Sequence, residues 1–190
     1  MSPTLITSKT FVALFDDHEK ELAKPETRYA QHPMLQGIWS YLLNNMYLPM
    51  SEEHRQGILD GFEQFQRPFT KALQDKGVKL MTGTDTFLPS LVPGFALHDE
   101  LEELVAAGLI PYQSLRASTT NPFEFLGELE EAGTVEVGKR ANLVLLEANP
   151  LENISNTQRI AGVMIQSHWL SKAEIKAGMD EVLAYFDSFK

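Results

Sequence analysis

A helical stripe that stops at a glycine and runs straight into a short apolar strand constrains this chain more than any other feature. Ile58, Phe62, Phe65, Phe69 and Leu73 recur at spacings of three and four, one face of a helix. Ser51 is placed to cap its start, and Glu52 and Glu53 complement the helix dipole in the first turn. Pro68 predicts a kink, and the phenylalanines read as core. Gly77 ends the helix, and residues 78–82 form a mostly apolar strand leading into Gly83, Thr84 and Asp85. A helix feeding a buried strand is the grammar of an α/β fold.

Upstream, residues 4–15 read as a strand running into a helix, and 16–50 as irregular text interrupted by Pro25, Pro33 and Pro49. Residues 4–12 and 78–82 are expected as adjacent parallel strands, with a helix over 51–74 as their crossover. Downstream, Asp99 and Glu102 suggest a capping-box start, and Leu97, Leu101, Leu104 and Val105 a helical stripe closed by Gly108. Pro111 opens another helix, which Asn121-Pro122 is expected to break. After Gly127 the texture changes. Alternating residues predict strands at 134–137, 142–146 and 160–166 in one antiparallel sheet, and Ser171 with Glu174 caps a last helix.

Composition narrows the function. The chain has 190 residues, 43% hydrophobic and 22% charged, as in an ordinary globular protein. Its net charge of −10 gives no gain from counterion release, which argues against nucleic-acid and anionic-membrane partners. It has no cysteine, which excludes a disulfide scaffold, thiolate-bound metal and a thiol nucleophile. No signal-peptide pattern opens the chain, and the compartment stays open.

The five histidines show no metal-ligand spacing, and there is no nucleophile elbow or phosphate loop. The one site-like feature is Asp85, at the carboxyl end of a buried strand, where α/β folds place ligands. A turn aspartate serving backbone N–H groups is the bland alternative. His98 reads as either a packing residue or a ligand contact. The acidic runs Asp99, Glu100, Glu102, Glu103 and Glu128, Glu130, Glu131 read as solvated faces.

The blocks LMTGTD (80–85), PGFALHDEL (93–101), LVAAGL (104–109), SLRAS (114–118), NP (121–122), GTVEVGKRANLVLL (133–146) and NPL (149–151) resemble the amidohydrolase superfamily, in its imidazolonepropionase-like and prolidase-like branch. SPTL (2–5) is similar to the barrel strand that precedes the Gly-Thr-Asp strand. The resemblance implies a metal-dependent (β/α)8 barrel, about its last two strands with their helices, over 1–127. It also implies β-sandwich strands over 128–170 and a C-terminal helix over 171–190. Asp85 would be the catalytic carboxylate, binding a divalent metal, usually zinc, and moving protons between the attacking water and the departing nitrogen. His98 would contact substrate.

The family's H-x-H, its bridging residue and its two further histidines have no match here, and a barrel takes about 250 residues. The chain is therefore expected to be the C-terminal portion of such a hydrolase, with most metal ligands, and any leader, outside it. The implied substrate is a small amide or dipeptide, and the implied partners are the remaining barrel part or a second copy. The competing reading is a non-catalytic split or truncated fragment that acts only in packing. Smaller departures are Asn142 for a usual aspartate, Ile110 for a usual helix cap, and Ser167-His168 for a glycine turn.

Overall fold

The computed structural model describes residues 1–189. The chain begins on a helix, not a strand: α1 (Leu5–Leu22) buries Leu5, Ile6, Thr10 and Leu14. Spacings of four from Ile6 to Thr10 to Leu14 put these side chains on one helical face, and that face outweighs the strand preference of the β-branched residues around them. Asp17 leaves helical geometry (φ −153, ψ 87) and restarts the helix by accepting the Lys20 N–H on Oδ1 at 3.0 Å.

The text expected to be irregular is mostly helical. Pro25 opens a 3-10 turn and Pro33 opens α2 (Pro33–Leu42), both at first-turn positions where proline lacks no needed donor. A π-helical turn follows at Leu43–Tyr47. Ser51 caps α3 (Glu52–Asp60), accepting the His54 N–H, and the helix continues through a second π turn at Gly61–Gln66 into α4 (Arg67–Asp75). Pro68 therefore produces a widened turn just ahead of itself, with the Arg67 N–H reaching back five residues to Phe62 O. Only part of the phenylalanine stripe is core. Phe62 is 2% exposed, whereas Phe65 and Phe69 are 61% and 40% exposed and stack on one another.

Residues 78–82, expected as a strand, form none: only Leu80 is fully buried, Lys79 is exposed, and no neighbouring strand among the described residues supplies a ladder. The expected parallel pairing with residues 4–12 is absent, because the chain is helical from Leu5. Met1 alone lies alongside: its amine donates to Lys79 O (3.1 Å) and its carbonyl accepts from Met81 N (2.7 Å), the hydrogen-bond pattern of a parallel pair. On the helices' side, Asn121 Nδ2 donates to Leu80 O at 2.7 Å. Leu5, Phe62, Leu80, Leu104, Leu109 and Ala117 close into the central core.

α5 (Phe95–Ala106) starts after Gly94, four residues before the expected cap at Asp99, which lies within the helix. α6 (Pro111–Ser118) is followed at once by α7 (Thr120–Leu126), so Asn121-Pro122 opens a helix where a break was expected. The sheet is antiparallel, with strand order β1 (Leu143–Leu146), β2 (Ile160–Ile165), β3 (His168–Ser171). Residues 134–137 are not part of it: Val135 and Val137 are exposed and no strand pairs with them. The third strand is instead His168–Ser171, joined to β2 through Gln166 and Ser167, both at positive φ (50 and 67) as a tight hairpin turn requires. Ser171 and Glu174 form the expected reciprocal cap of α8 (Lys172–Asp187).

Candidate active site

Asp85 follows the 78–82 segment through Gly83. A Cβ on Gly83 would meet Ser2 Oγ at 2.3 Å and Thr4 Oγ1 at 2.8 Å, so the glycine admits the start of the chain against this loop. The loop is held in costly backbone geometry. Asp85 (φ 48), Phe87 (φ 97) and Ser90 (φ 72) all lie at positive φ, and each such residue costs about 1–2 kcal/mol unless its surroundings hold it. Two straps do so. Trp39 Nε1 of α2 donates to Phe87 O at 3.0 Å, and Ser90 Oγ donates to Glu21 Oε1 of α1 at 2.7 Å.

The Asp85 side chain is exposed, and Tyr47 lies close enough to feel its charge. Burial first, and the Asp85 carboxylate second, push the Tyr47 phenol above its usual range, so Tyr47 keeps its proton at neutral pH. The Tyr47 phenol is buried against Phe11 and within electrostatic range of the Asp85 carboxylate, with no hydrogen bond between them among the described residues.

His98 is held elsewhere. It is half-buried on α5 and shares a 3.0 Å hydrogen bond between Nδ1 and Thr157 Oγ1. Thr157 Oγ1 already donates to Ile154 O at 2.9 Å, so its oxygen accepts here and Nδ1 carries the proton. Nε2 is left with its lone pair. Burial lowers the His98 pKa, partly offset by Glu102. No hydrogen bond or ion pair joins His98 to Asp85 among the described residues.

The acidic run on α5 is not a solvated face. Glu100 is 0% and Glu103 3% exposed, and Asp99 is half-buried with its pKa raised by burial. Glu103 pairs with Lys9 at 2.6 Å and with Arg67 Nη2 at 2.5 Å. Glu100 Oε2 accepts the Ile6 N–H at 2.8 Å at the start of α1, while Oε1 has no partner. Burial carries the Glu100 pKa up to about 8. Tyr47, Trp39 and Glu100 do not stand out as site residues in the sequence, since only the tertiary approach of distant segments gives them their roles.

A zinc centre needs three or four converging donors. Among the described residues no three His, Asp or Glu side chains form such a group. Residues 1–189 do not by themselves fit a metal centre, and Asp85 is a single carboxylate.

The amidohydrolase family profile matches residues 21–170, and the chain belongs to the amidohydrolase family. Among solved structures, a bottromycin amidohydrolase superposes over 97% of this chain and 40% of its own, with TM-score 0.74 and 22% identity. A prolidase-like protein from Bifidobacterium longum matches over 79% of this chain and 38% of its own, with TM-score 0.56 and 29% identity. A Xaa-Pro dipeptidase, solved with methionine in its active site, matches over 76% and 33%, with TM-score 0.56 and 19% identity. The chain therefore spans between 33% and 40% of the length of these structures. No curated protein matches it.

Proposed function

We propose that this chain contributes the carboxyl-terminal part of a (β/α)8-barrel and β-sandwich hydrolase that cleaves carbon–nitrogen bonds in small amides or dipeptides. The observation that carries the reading is Asp85, held at positive φ on a doubly strapped loop that follows the buried Leu80. Strain of this kind concentrates where a side chain must be aimed. Membership of the amidohydrolase family and likeness to a Xaa-Pro dipeptidase support the reaction class.

In this reading Asp85 accepts the proton of the water as its oxygen bonds to the carbonyl carbon, and returns it to the nitrogen as the C–N bond breaks, so that a neutral amine departs. Tyr47, neutral, orients the water or the substrate carbonyl by donation. His98 contacts substrate through Nε2. The family implies a divalent metal, usually zinc, with ligands other than Asp85 coming from polypeptide beyond the described residues.

The second reading, a packing module without catalysis, draws on the lack of three converging metal ligands among the described residues. One experiment separates the two. The chain is expressed alone and together with the polypeptide encoded immediately upstream, and both preparations are assayed for metal content and for hydrolysis of Xaa-Pro dipeptides and N-acyl amides. Metal-dependent turnover that appears in the joint preparation and vanishes with Asp85→Asn upholds the hydrolase. A well-folded joint preparation that turns over none of these substrates favours the packing module.

A further inference from the structure

The amino-terminal end of the 78–82 segment, opposite the end that leads to Asp85, lines a concavity. Its volume is about 320 Å³, and its walls come from the end of α4, Val78 and Lys79, and the helices α6 and α7. That is the small end of the range for ligand pockets, the size of an amino acid or a hydroxy acid.

The charge of this cavity is opposite to that of the molecule. The chain carries −10 overall, yet among the described residues the charged ones lining the cavity are both cations, Lys79 and Arg116. Lys79 is already neutralised by Glu124 from outside the lining. Arg116 is half-buried, has no ion pair among the described residues, and sits 6.0 Å above the ring of Tyr112. The guanidinium has the Tyr112 ring for company but no counter-ion, and its planar fork matches a carboxylate.

A second unsatisfied group stands in the same wall. Asn121 is 7% exposed, and its Nδ2 is committed to Leu80 O at 2.7 Å. Its Oδ1 has no partner, an acceptor without a donor. Gln113, also in the wall, offers nothing further through Oε1, which accepts the Ile110 N–H at 3.1 Å. Among the described residues the cavity is thus lined by one cation without a counter-ion, Arg116, and its wall holds a buried acceptor without a donor, Asn121 Oδ1.

We propose that this cavity binds a small monocarboxylic acid that also bears an N–H or O–H donor. The carboxylate lies on Arg116 and the donor satisfies Asn121. The site is separate from Asp85, and it stands whether or not the chain takes part in hydrolysis.

The test is isothermal titration calorimetry of the 190-residue chain at low ionic strength with L-alanine, L-lactate, acetate and inorganic phosphate. Saturable one-to-one binding of alanine or lactate, ~10-fold or more tighter than acetate or phosphate, is expected. Which of the two binds assigns the donor as amino or hydroxyl. Arg116→Gln should weaken binding by at least ~10-fold, while the surface control Arg140→Gln leaves it unchanged. To separate a binding effect of Arg116→Gln from an effect on the fold, amide chemical shifts of the unsubstituted chain are followed in parallel, and perturbations should centre on Lys79, Arg116 and Asn121. No saturable binding, binding indifferent to Arg116, equal affinity for acetate, or shifts confined to other parts of the chain would each overturn the proposal.

Discussion

Glu100 and Ile6, 94 residues apart, meet in a 2.8 Å hydrogen bond that caps the amino-terminal helix with a side chain from another helix. The side chain of α1's own N-cap residue, Thr4, makes no such bond. The Glu100 carboxyl group lies wholly out of water, and its proton is retained up to about pH 8.

That retention sets a pH dependence. An unfolded glutamate releases its proton near 4.5, the folded one near 8. Between those values the folded chain binds more protons than the unfolded one, so stability falls as pH rises through the window. The full effect is on the order of 5 kcal/mol. Thermal melts from pH 5 to pH 9 should show a declining Tm, and Glu100→Gln, which keeps an acceptor for Ile6, should flatten the decline. A Glu100→Gln profile parallel to that of the parent would show that another group sets the slope.

Asp85→Asn should remove hydrolysis in the joint preparation by roughly 100- to 10,000-fold, since the amide cannot accept the water's proton. Asparagine tolerates positive φ as well as aspartate does, so the melting temperature should stay within a degree or two of the parent. Comparing kcat with Tm separates loss of chemistry from loss of fold.

Trp39→Phe deletes the donor to Phe87 O but keeps a large ring among Ala30, Val92 and Phe95. The orphaned carbonyl and the smaller ring should cost about 1–3 kcal/mol, and the 84–94 loop should exchange its amides faster. Hydrogen exchange that is unchanged at the loop would mean the strap is idle.

In the sheet, a Cβ on Gly162 would lie 2.2 Å from the Trp169 ring and 3.0 Å from Leu170 O. Gly162→Ala should therefore destabilise by about 1–3 kcal/mol in urea, with the ring forced off its place on the sheet. A neutral result would require the indole to swing away freely.

The exposed rings of Phe65 and Phe69, stacked at 5.1 Å between centroids, are expected to draw copies of the chain together when it is prepared alone. Sedimentation velocity should report concentration-dependent association that Phe65→Ser with Phe69→Ser relieves. A monomer at every concentration contradicts this.

Local signals with a complete local mechanism were legible. The Ser171–Glu174 box, the Gly77 and Gly108 stops, Pro111 at a helix start and the strands around 143–146 and 160–165 all need only neighbouring residues to be understood. The misses share a cause. Residues 5–22 carry β-branched side chains yet fold as a helix because Leu5 and Leu14 are claimed by two different clusters of distant residues. Glu100 looks like one of four surface carboxylates until Ile6 arrives to cover it. Residues 134–137 alternate as a strand should, but alternation alone supplies no partner. At the candidate site Asp85 was legible as following the buried Leu80, whereas Tyr47 became visible only once the π turn at Leu43–Tyr47 delivered it.

The other π turn, Gly61–Gln66, bears on how the chain tolerates a change of length. A π turn holds one residue more than the α-helix around it, so it takes up an extra residue without rotating the rest of the helix. Elsewhere in a helix, losing one residue swings every later side chain by about 100° and scatters the buried face. Within 61–66 the same loss should shorten the bulge to ordinary helix and leave Thr70 and Leu73 facing inward. This stretch is thus a place where the chain's length can drift by one while its packing stays put.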